Sequence, residues 1–420
     1  MRRVRGLVAL IAALVLAAPS VHALSLEDAV ALARRSNPDL AAARAQADAA
    51  TARLKQAQAG RLPTVTLSGE AGTGTTDLGG FFGFGRADVR PRAGAVELRQ
   101  PLFAGGALTA AVEGARAGRD AALARAAGAE ALLSAQAAEA YVGVQSAEQM
   151  LALLDVQVTQ TTEVERQARL RFEHGEIART DVAQAEARLA AARAALARGQ
   201  GALEQRRAHF TAVTGAEPSG LEPSTPPADL PASLDEALAA AERSSPSLRA
   251  AESTLAAAEA AVRGAEGARA PSLAFTASAS AVRDQFFPGY QANDVTVGVQ
   301  GRWVVFSGGA VSGRIAEAQA DRRAAQAGRD GARAQLREAV TGAWADLVAA
   351  RSMIRAADAQ VQAADSALDS VANEVRVGQK PTLDLLDAQS DRLAAQAALI
   401  DARGQAVAAA WRLRALLGAD

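Results

Sequence analysis

The amino-acid sequence predicts a mainly α-helical protein with a smaller β part, in which one structural unit occurs twice. Internal repetition is the first observation, since Pro38 recurs as Pro246, 208 residues later, and Gly215 recurs as Gly418, 203 residues later. The second observation is a long apolar seam of coiled-coil type in each unit. The third is a pair of segments in each unit in which apolar and polar residues alternate. These properties predict long helices joined to short strand pairs.

Residues 1–23 have the pattern of a secretory signal peptide. Three arginines among the first five residues precede an apolar run, and Val21 and Ala23 place small residues at positions −3 and −1 of a cleavage site. The run is too short to anchor the chain in a bilayer as a helix. We therefore expect Sec-dependent export and a mature protein that begins near Leu24. No later segment offers a continuous apolar stretch long enough for a membrane-spanning helix.

Each of the two units has the same predicted order of elements. The first unit spans residues 24–214 and the second spans 233–420, and the proline-rich residues 215–232 are predicted to form an extended linker. The predicted helices lie at about 25–60, 107–173, 180–214, 233–268, 310–376 and 383–417. The predicted strands lie at about 64–74, 94–103, 272–282 and 294–306.

The long helix of each unit carries an apolar seam with alternating spacings of three and four residues. In the first unit the seam comprises Val144, Ala147, Leu151, Leu154 and Val158. In the second unit it comprises Leu347, Ala350, Ile354, Ala357 and Val361. Such a seam is typical of coiled coils. The predicted helix 107–173 has 67 residues and is therefore about 100 Å long. Two short helices placed end to end match it in length.

The predicted strands have one apolar and one polar face, as in the alternation of Val295, Val297 and Val299 with Thr296 and Gln300. The loops that join the strand pairs are rich in aromatic residues, namely Phe81, Phe82, Phe84, Phe286, Phe287 and Tyr290. Aromatic residues at the ends of amphipathic strands are typical of a membrane interface. The alternative interpretation is an ordinary antiparallel sheet packed on the helices.

The strand lengths favour the membrane interpretation, because a tilted strand of about 9–11 residues crosses a bilayer. Four strands cannot close a membrane barrel, whose smallest known form has about eight. The chain must then oligomerise, and two copies would give eight strands while three would give twelve. A lumen wide enough to continue a helical tube favours the trimer.

The composition excludes several classes of function. The formal net charge of −1 gives no general attraction to nucleic acid. The chain has no cysteine, which excludes disulfides, thiolate chemistry and a lipidated N-terminal cysteine. We find no phosphate-binding loop, nucleophile elbow or cluster with metal-ligand spacing. We therefore predict no catalytic residues, no metal and no cofactor.

Together these features resemble the TolC family of outer-membrane efflux channels over the whole mature chain. The marks of the resemblance are the duplicated unit, the corners Phe103-Ala-Gly-Gly106 and Phe306-Ser-Gly-Gly309, and the two turns before Asp181 and Asp384. The resemblance implies a trimer with a twelve-stranded outer-membrane barrel that continues into a periplasmic α-helical barrel. It also implies a passive exit duct for efflux or type I secretion. Such a duct works with a periplasmic adaptor and an inner-membrane pump of the RND or ABC type.

The resemblance also implies roles for individual residues. Asp384 and Asp387 would form acidic rings at the periplasmic constriction, where they would favour cations and bind multivalent blockers. Thr180, Asp181 and Lys380 would help to hold the mouth closed. The family commonly has Arg at the position of Lys380 and Tyr at that of Val375, so we expect an altered closing network here. The predicted adaptor-contact residues lie in the two turns and are Glu173, His174, Gly175, Glu176, Val377, Gly378 and Gln379.

Ordinary helix chemistry offers an alternative for part of this set. Asp181 and Asp384 in a first helical turn would complement the helix dipole, and Thr180 could cap. Asp387, one turn later, is not explained in this way. We interpret Gly105, Gly106, Gly308 and Gly309 as backbone hinges between strand and helix rather than as ligand sites.

Two other classes of protein compete with a channel. An enzyme is disfavoured because two aspartates without a histidine or metal partner are weak support for hydrolysis. A periplasmic coiled-coil adaptor or scaffold is the better alternative, since adaptors also carry long helical hairpins. An adaptor would have one hairpin beside a lipoyl-like β region, whereas this chain predicts two hairpins and two amphipathic strand pairs.

Overall fold

The computed structural model describes residues 23–80, 83 and 85–418. The predicted signal peptide, apart from Ala23, lies outside the described residues, as do Phe81, Phe82 and Phe84. The elements of the first half are α1 Leu26–Ser36, α2 Pro38–Ala59, β1 Thr64–Ala71, β2 Gly74–Asp77, β3 Arg86–Val89, β4 Arg92–Ala104, α3 Ala107–Glu173 and α4 Arg179–Thr214. Those of the second half are α5 Leu234–Ser244, α6 Pro246–Gly267, β5 Ser272–Arg283, β6 Gln291–Arg302, α7 Ala310–Arg376 and α8 Thr382–Leu417.

The first helix of each half is interrupted, which corrects the single helices predicted at about 25–60 and 233–268. Asn37 separates α1 from α2 with ψ 124°, and Ser245 separates α5 from α6 with the same ψ. Each of these residues precedes a proline, whose ring disfavours the α conformation in the residue before it. The proline itself suits the first turn of the next helix, so the chain bends without losing the helix beyond.

Corresponding helices of the two halves have equal lengths. The pairs α1/α5, α2/α6, α3/α7 and α4/α8 have 11, 22, 67 and 36 residues per helix. The break between α3 and α4 and the break between α7 and α8 are likewise of equal length, since they comprise residues 174–178 and 377–381. The helices of the two halves therefore correspond in order and in length.

The four main strands form an antiparallel sheet in the order β1-β4-β5-β6. One face is apolar and mostly exposed, and it carries Val65, Leu67, Val96, Leu98, Leu273, Phe275, Val295, Val297 and Val299. The opposite face carries Thr64, Thr66, Glu97, Arg99, Thr276, Ser278, Thr296 and Gln300. The alternation predicted from the sequence is thus present across the whole sheet.

Strand ends differ from the prediction in two places. Residues 72–74 do not continue β1, and Gly74 begins a separate two-stranded hairpin of β2 and β3 that was not predicted. Residues 303–306 do not continue β6, although their apolar side chains are exposed, with Val305 at 80% and Phe306 at 89%. In contrast, β4 continues to Ala104 because β5 pairs with it there.

The described chain divides into two compact units. One contains residues 23–41, 128–244 and 337–418, and its core is built from α1, the first turn of α2, α3, α4 and α8 around Leu40, Tyr141, Phe210 and Trp411. The other contains residues 42–127 and 245–336, and it includes both sheets, α2 from residue 42 onward, α6 and parts of the long helices. The predicted seams contribute buried residues to the first unit, including Val144, Leu347 and Ala357.

Candidate functional site

The two turns predicted as a functional end of the chain have the same backbone structure. Gly175 and Gly378 follow the long helices with φ values of 77° and 74°. In each turn the next amide donates back into the helix, from Glu176 to the Arg171 carbonyl at 2.8 Å and from Gln379 to the Glu374 carbonyl at 2.8 Å. This is the Schellman ending of a helix, which favours glycine at the left-handed position.

All seven residues predicted to contact an adaptor are exposed at these turns. They comprise two acidic side chains, one histidine, one valine, one glutamine and the two glycines, and the valine is Val377, which is 68% exposed. Glu176 forms an ion pair with Arg171 at 3.2 Å. The turns therefore present a mixed polar surface whose backbone is held by the two helix endings.

The side chains predicted to close the mouth form no hydrogen bond or ion pair with one another in the part of the chain that the structure describes. The Asp181 carboxylate accepts a hydrogen bond from the Ala178 amide at 3.2 Å and so caps α4. Lys380 instead forms an ion pair with Glu374 at 2.8 Å, and this hydrogen-bonded carboxylate raises the pKa of Lys380. Thr180 is exposed and has no side-chain hydrogen bond in the described part of the chain.

The two predicted constriction carboxylates lie in different environments. Asp384 is half-buried in the first turn of α8, where it complements the helix dipole, and its side chain has no hydrogen bond or ion pair with the residues that the structure describes. Asp387 is exposed and accepts a hydrogen bond from Arg188 of α4, with the nitrogen and oxygen 2.8 Å apart. Sequence reasoning therefore selected Asp387 but missed its cationic partner.

The two turns meet at a small cavity of about 90 Å³. Its lining includes Arg171 and Asp181 from the first half and Thr382, Leu383 and Leu386 from the second. Arg171 donates a hydrogen bond to the Thr382 hydroxyl at 3.4 Å. Residues after both turns thus lie side by side in one chain.

Arg188 and Glu374 were not predicted as site residues. The sequence contains a signal for Arg188, because it lies near the start of α4 as Asp387 lies near the start of α8, and the two helices occupy equivalent places in the repeat. Opposite charges at similar distances from the starts of equivalent helices suggest a contact. Glu374 had no such signal, since its pairing depends on how the chain folds back at Gly378.

The strand-to-helix corners contain four glycines in the left-handed region. Their φ values are 58° for Gly105, 85° for Gly106, 59° for Gly308 and 90° for Gly309. The corners therefore require residues without a Cβ atom, which is consistent with a backbone role. Within the described ranges no helix is long and apolar enough to cross a membrane, and no group of acidic, histidine or cysteine side chains is arranged to hold a metal ion.

Comparison with known proteins gives consistent results. The family described as outer membrane efflux protein matches residues 29–216 and 237–419. The outer membrane efflux protein BepC of Brucella suis biovar 1 (strain 1330) is 34% identical over 268 residues, a match that covers 63% of this chain and only 58% of that protein.

Solved structures extend the similarity to nearly the whole chain. The outer-membrane channel OprN is 26% identical with a TM-score of 0.80, and the alignment covers 94% of this chain and 90% of OprN. The outer membrane protein VceC from Vibrio cholerae is 20% identical with a TM-score of 0.80, covering 94% of this chain and 96% of VceC. The VceC alignment supports the fold alone.

Proposed function

Because this chain belongs to the outer membrane efflux protein family, we propose that it is the passive exit duct of a tripartite efflux or type I secretion system. It acts in the outer membrane as a homotrimer with a large periplasmic part. A periplasmic adaptor and an inner-membrane pump of the RND or ABC type open its periplasmic end. Matching over 58% of BepC does not carry the activity of that protein to this chain.

The observation that carries the proposal is the exposed sheet with two dissimilar faces. Its apolar face exposes Val65, Leu67, Val295, Val297 and Val299. A soluble protein rarely leaves so many large apolar side chains on one continuous surface. Lipid covers such a face at no cost, and the polar face then lines a lumen. The signal peptide pattern agrees with export to that membrane.

The edges of the sheet support assembly from several copies. Strands β1 and β6 each pair on one side only in the described part of the chain. Unpaired backbone groups are not tolerated against lipid, so each edge needs a further strand. Within the chain, the second main strand of the first half, β4, pairs with the first strand of the second half, β5. By the same pattern, β6 of one copy can pair with β1 of a second copy. Three copies close a barrel of twelve strands.

The exposed turns support contact with an adaptor. Both turns lie at the ends of helical hairpins, and neither is covered by another part of the described chain. An adaptor that bound both turns could move one hairpin relative to the other. Crosslinks from an adaptor to the turns at 173–177 and 376–380 would support this contact, while crosslinks that consistently miss both turns would contradict it.

Channel activity can be tested by conductance in a planar bilayer. We expect the purified wild-type protein to carry small cation-selective currents that a multivalent cation blocks. Replacing both Asp384 and Asp387 by alanine removes the constriction carboxylates, so the variant should lose most of this selectivity and block. If the double substitution leaves selectivity and block unchanged, both residues have no role at a constriction and only stabilise the start of the helix. Recovery of the chain only as a washable periplasmic monomer would overturn the proposed function.

A further inference from the structure

The pair Arg188 and Asp387 connects the two helical hairpins near their turns. Its nitrogen and oxygen are 2.8 Å apart, and the side chains are 50% and 53% exposed. Other ion pairs in this part of the molecule lie within a hairpin, such as Arg169 with Glu186 between α3 and α4 and Arg392 with Asp365 between α7 and α8. Near the turns, the Arg171 to Thr382 hydrogen bond is the other described polar side-chain contact between hairpins, and it is longer at 3.4 Å.

This contact changes the charge of the candidate constriction. Two carboxylates per copy, Asp384 and Asp387, would give a strongly acidic site. The guanidinium of Arg188 cancels one of them at hydrogen-bond distance. Asp384 has no such partner among the described residues, so it supplies the net negative charge. Lys380 is near enough to Asp384 for a Coulombic attraction, but its ammonium group forms its ion pair with Glu374, so the lysine and glutamate charges offset each other.

We propose that Arg188 sets the ion selectivity of this channel by neutralising Asp387 while the hairpins are together, so that Asp384 alone attracts cations. Separation of the hairpins breaks the Arg188 contact and exposes the Asp387 carboxylate. The acidic site therefore becomes stronger when the mouth opens. This inference rests on the proposed channel function and assigns the role of a specificity-determining residue to Arg188.

Formal charges make the proposal quantitative. The wild-type site carries one net negative charge per copy from Asp384, Asp387 and Arg188. Arg188→Gln raises this to two, and Asp387→Asn lowers it to zero. The double variant Arg188→Gln with Asp387→Asn returns to one. If charge alone matters, the double variant should have the selectivity of the wild type. The two single variants should shift selectivity in directions opposite to each other.

The experiment is a measurement of reversal potential in a salt gradient, together with block by Mg²⁺, on the purified full-length chain in a planar bilayer. For Arg188→Gln we expect a higher cation preference and a blocking concentration lowered by about fivefold, as expected for one added charge per copy at close range. Asp387→Asn should show the opposite change. Both shifts should diminish at high salt because screening weakens them.

Two control variants separate this role from general effects. Arg188→Lys keeps the positive charge and should retain selectivity close to that of the wild type. Arg169→Gln removes an equally exposed arginine from an ion pair with Glu186 within one hairpin, and it should leave selectivity unchanged. Correct insertion of each variant is checked by its trimer on a native gel.

The outcomes distinguish the inference from the function on which it rests. A conducting Arg188→Gln channel with wild-type selectivity and block would overturn the role of Arg188 and leave the channel intact. A double variant that resembles Asp387→Asn would do the same. Inserted trimers of all variants without current would overturn the channel function and the inference together.

Discussion

Tyr141 is a residue whose role depends on contacts far apart in sequence. It is fully buried, and its hydroxyl lies 2.7 Å from the carbonyl oxygens of both Leu24 and Glu222. Leu24 lies at the start of the described residues, and Glu222 lies in the linker between halves. Tyr141 therefore holds two extended segments against the middle of α3. Its counterpart in the second half is Trp344, which is only half-buried.

Burial raises the pKa of Tyr141 to about 12. Folding therefore favours the neutral phenol. The resulting stabilisation is fully present below the ordinary tyrosine pKa of about 10 and is lost as the pH rises through the pKa of the folded protein. The chain has two tyrosines, so we expect one half of the phenolate absorbance to appear only near pH 12 or on unfolding.

A titration of Tyr141→Phe checks the assignment. The variant should lose the late phenolate signal. Its melting temperature should fall modestly, since a lost hydrogen bond costs about 1 kcal/mol. The Glu222 carbonyl keeps the amide of Gln145 as a donor at 2.8 Å. Ionisation of Tyr141 near pH 10 in the folded wild type would show that its hydroxyl is accessible to solvent.

At the same scale, the sequence predicted positions better than partners. Asp181 was placed correctly at the start of a helix, where its capping bond follows from local chain geometry. The contact of Lys380 with Glu374 and that of Asp387 with Arg188 depend on a folded turn and on packing between helices. Such contacts leave no periodic trace in one sequence.

Among the elements, the strand-to-helix corners show how two similar glycines differ. A Cβ atom on Gly105 would lie 2.2 Å from the Gly267 carbonyl oxygen, whereas one on Gly308 would meet nothing within 4 Å. Both residues have φ near 58°. In the first half, the corner thus packs against the end of α6 from the second half. The equivalent surface for Gly308 is the end of α2, which another copy would supply.

Alanine substitution at the two corners should therefore have different effects. Gly105→Ala combines left-handed strain of about 1–2 kcal/mol with a backbone clash inside the chain, so we expect loss of the folded chain. Gly308→Ala carries the same left-handed strain but no clash within the described chain, so it should leave the chain helical and reduce trimer formation, because its new methyl group meets the neighbouring copy. Circular dichroism measures the first effect and native gels the second. A Gly308→Ala protein that forms trimers as readily as the wild type would contradict the proposed packing.

Element boundaries were predictable where local chemistry decides them. The long helices at 107–173 and 310–376 begin and end as the seams and the glycine turns indicate. The breaks at Asn37 and Ser245 were missed although proline marks them, because apolar periodicity continues on both sides. Residues 303–306 were predicted as strand from their alternation, but a strand also requires a partner, and the described sheet offers none beyond Arg302.

For the whole molecule, the repeat predicts a specific register between copies. Within the chain, Gln100 pairs with Phe275 and Phe103 pairs with Leu273. The repeat places Trp303 and Phe306 where the first half has Gln100 and Phe103. It also places Leu67 and Val65 where the second half has Phe275 and Leu273. In a closed assembly, Trp303 should therefore pair with Leu67 of the next copy, and residues 303–306 should become strand.

Cysteine crosslinking tests this register cleanly because the chain has no cysteine of its own. We expect Trp303→Cys combined with Leu67→Cys to give crosslinked dimers and trimers with a short reagent. Trp303→Cys combined with Thr66→Cys is the matched control, since a shift of one residue places the second thiol on the opposite face of the sheet. Equal crosslinking of both pairs, or of neither, would contradict the predicted register.

The open edges of the sheet also have a consequence for biogenesis. If the chain is exported as proposed, a new copy presents the edges of β1 and β6, each unpaired on one side in the described sheet, beside a surface that includes Val305 and Phe306. Such edges pair with any available strand, so the lone copy is prone to aggregation until it meets others. Productive assembly therefore competes with a side reaction that also grows with concentration. The yield of assembled protein in the cell should then depend on binding by periplasmic chaperones and on a slow rate of synthesis.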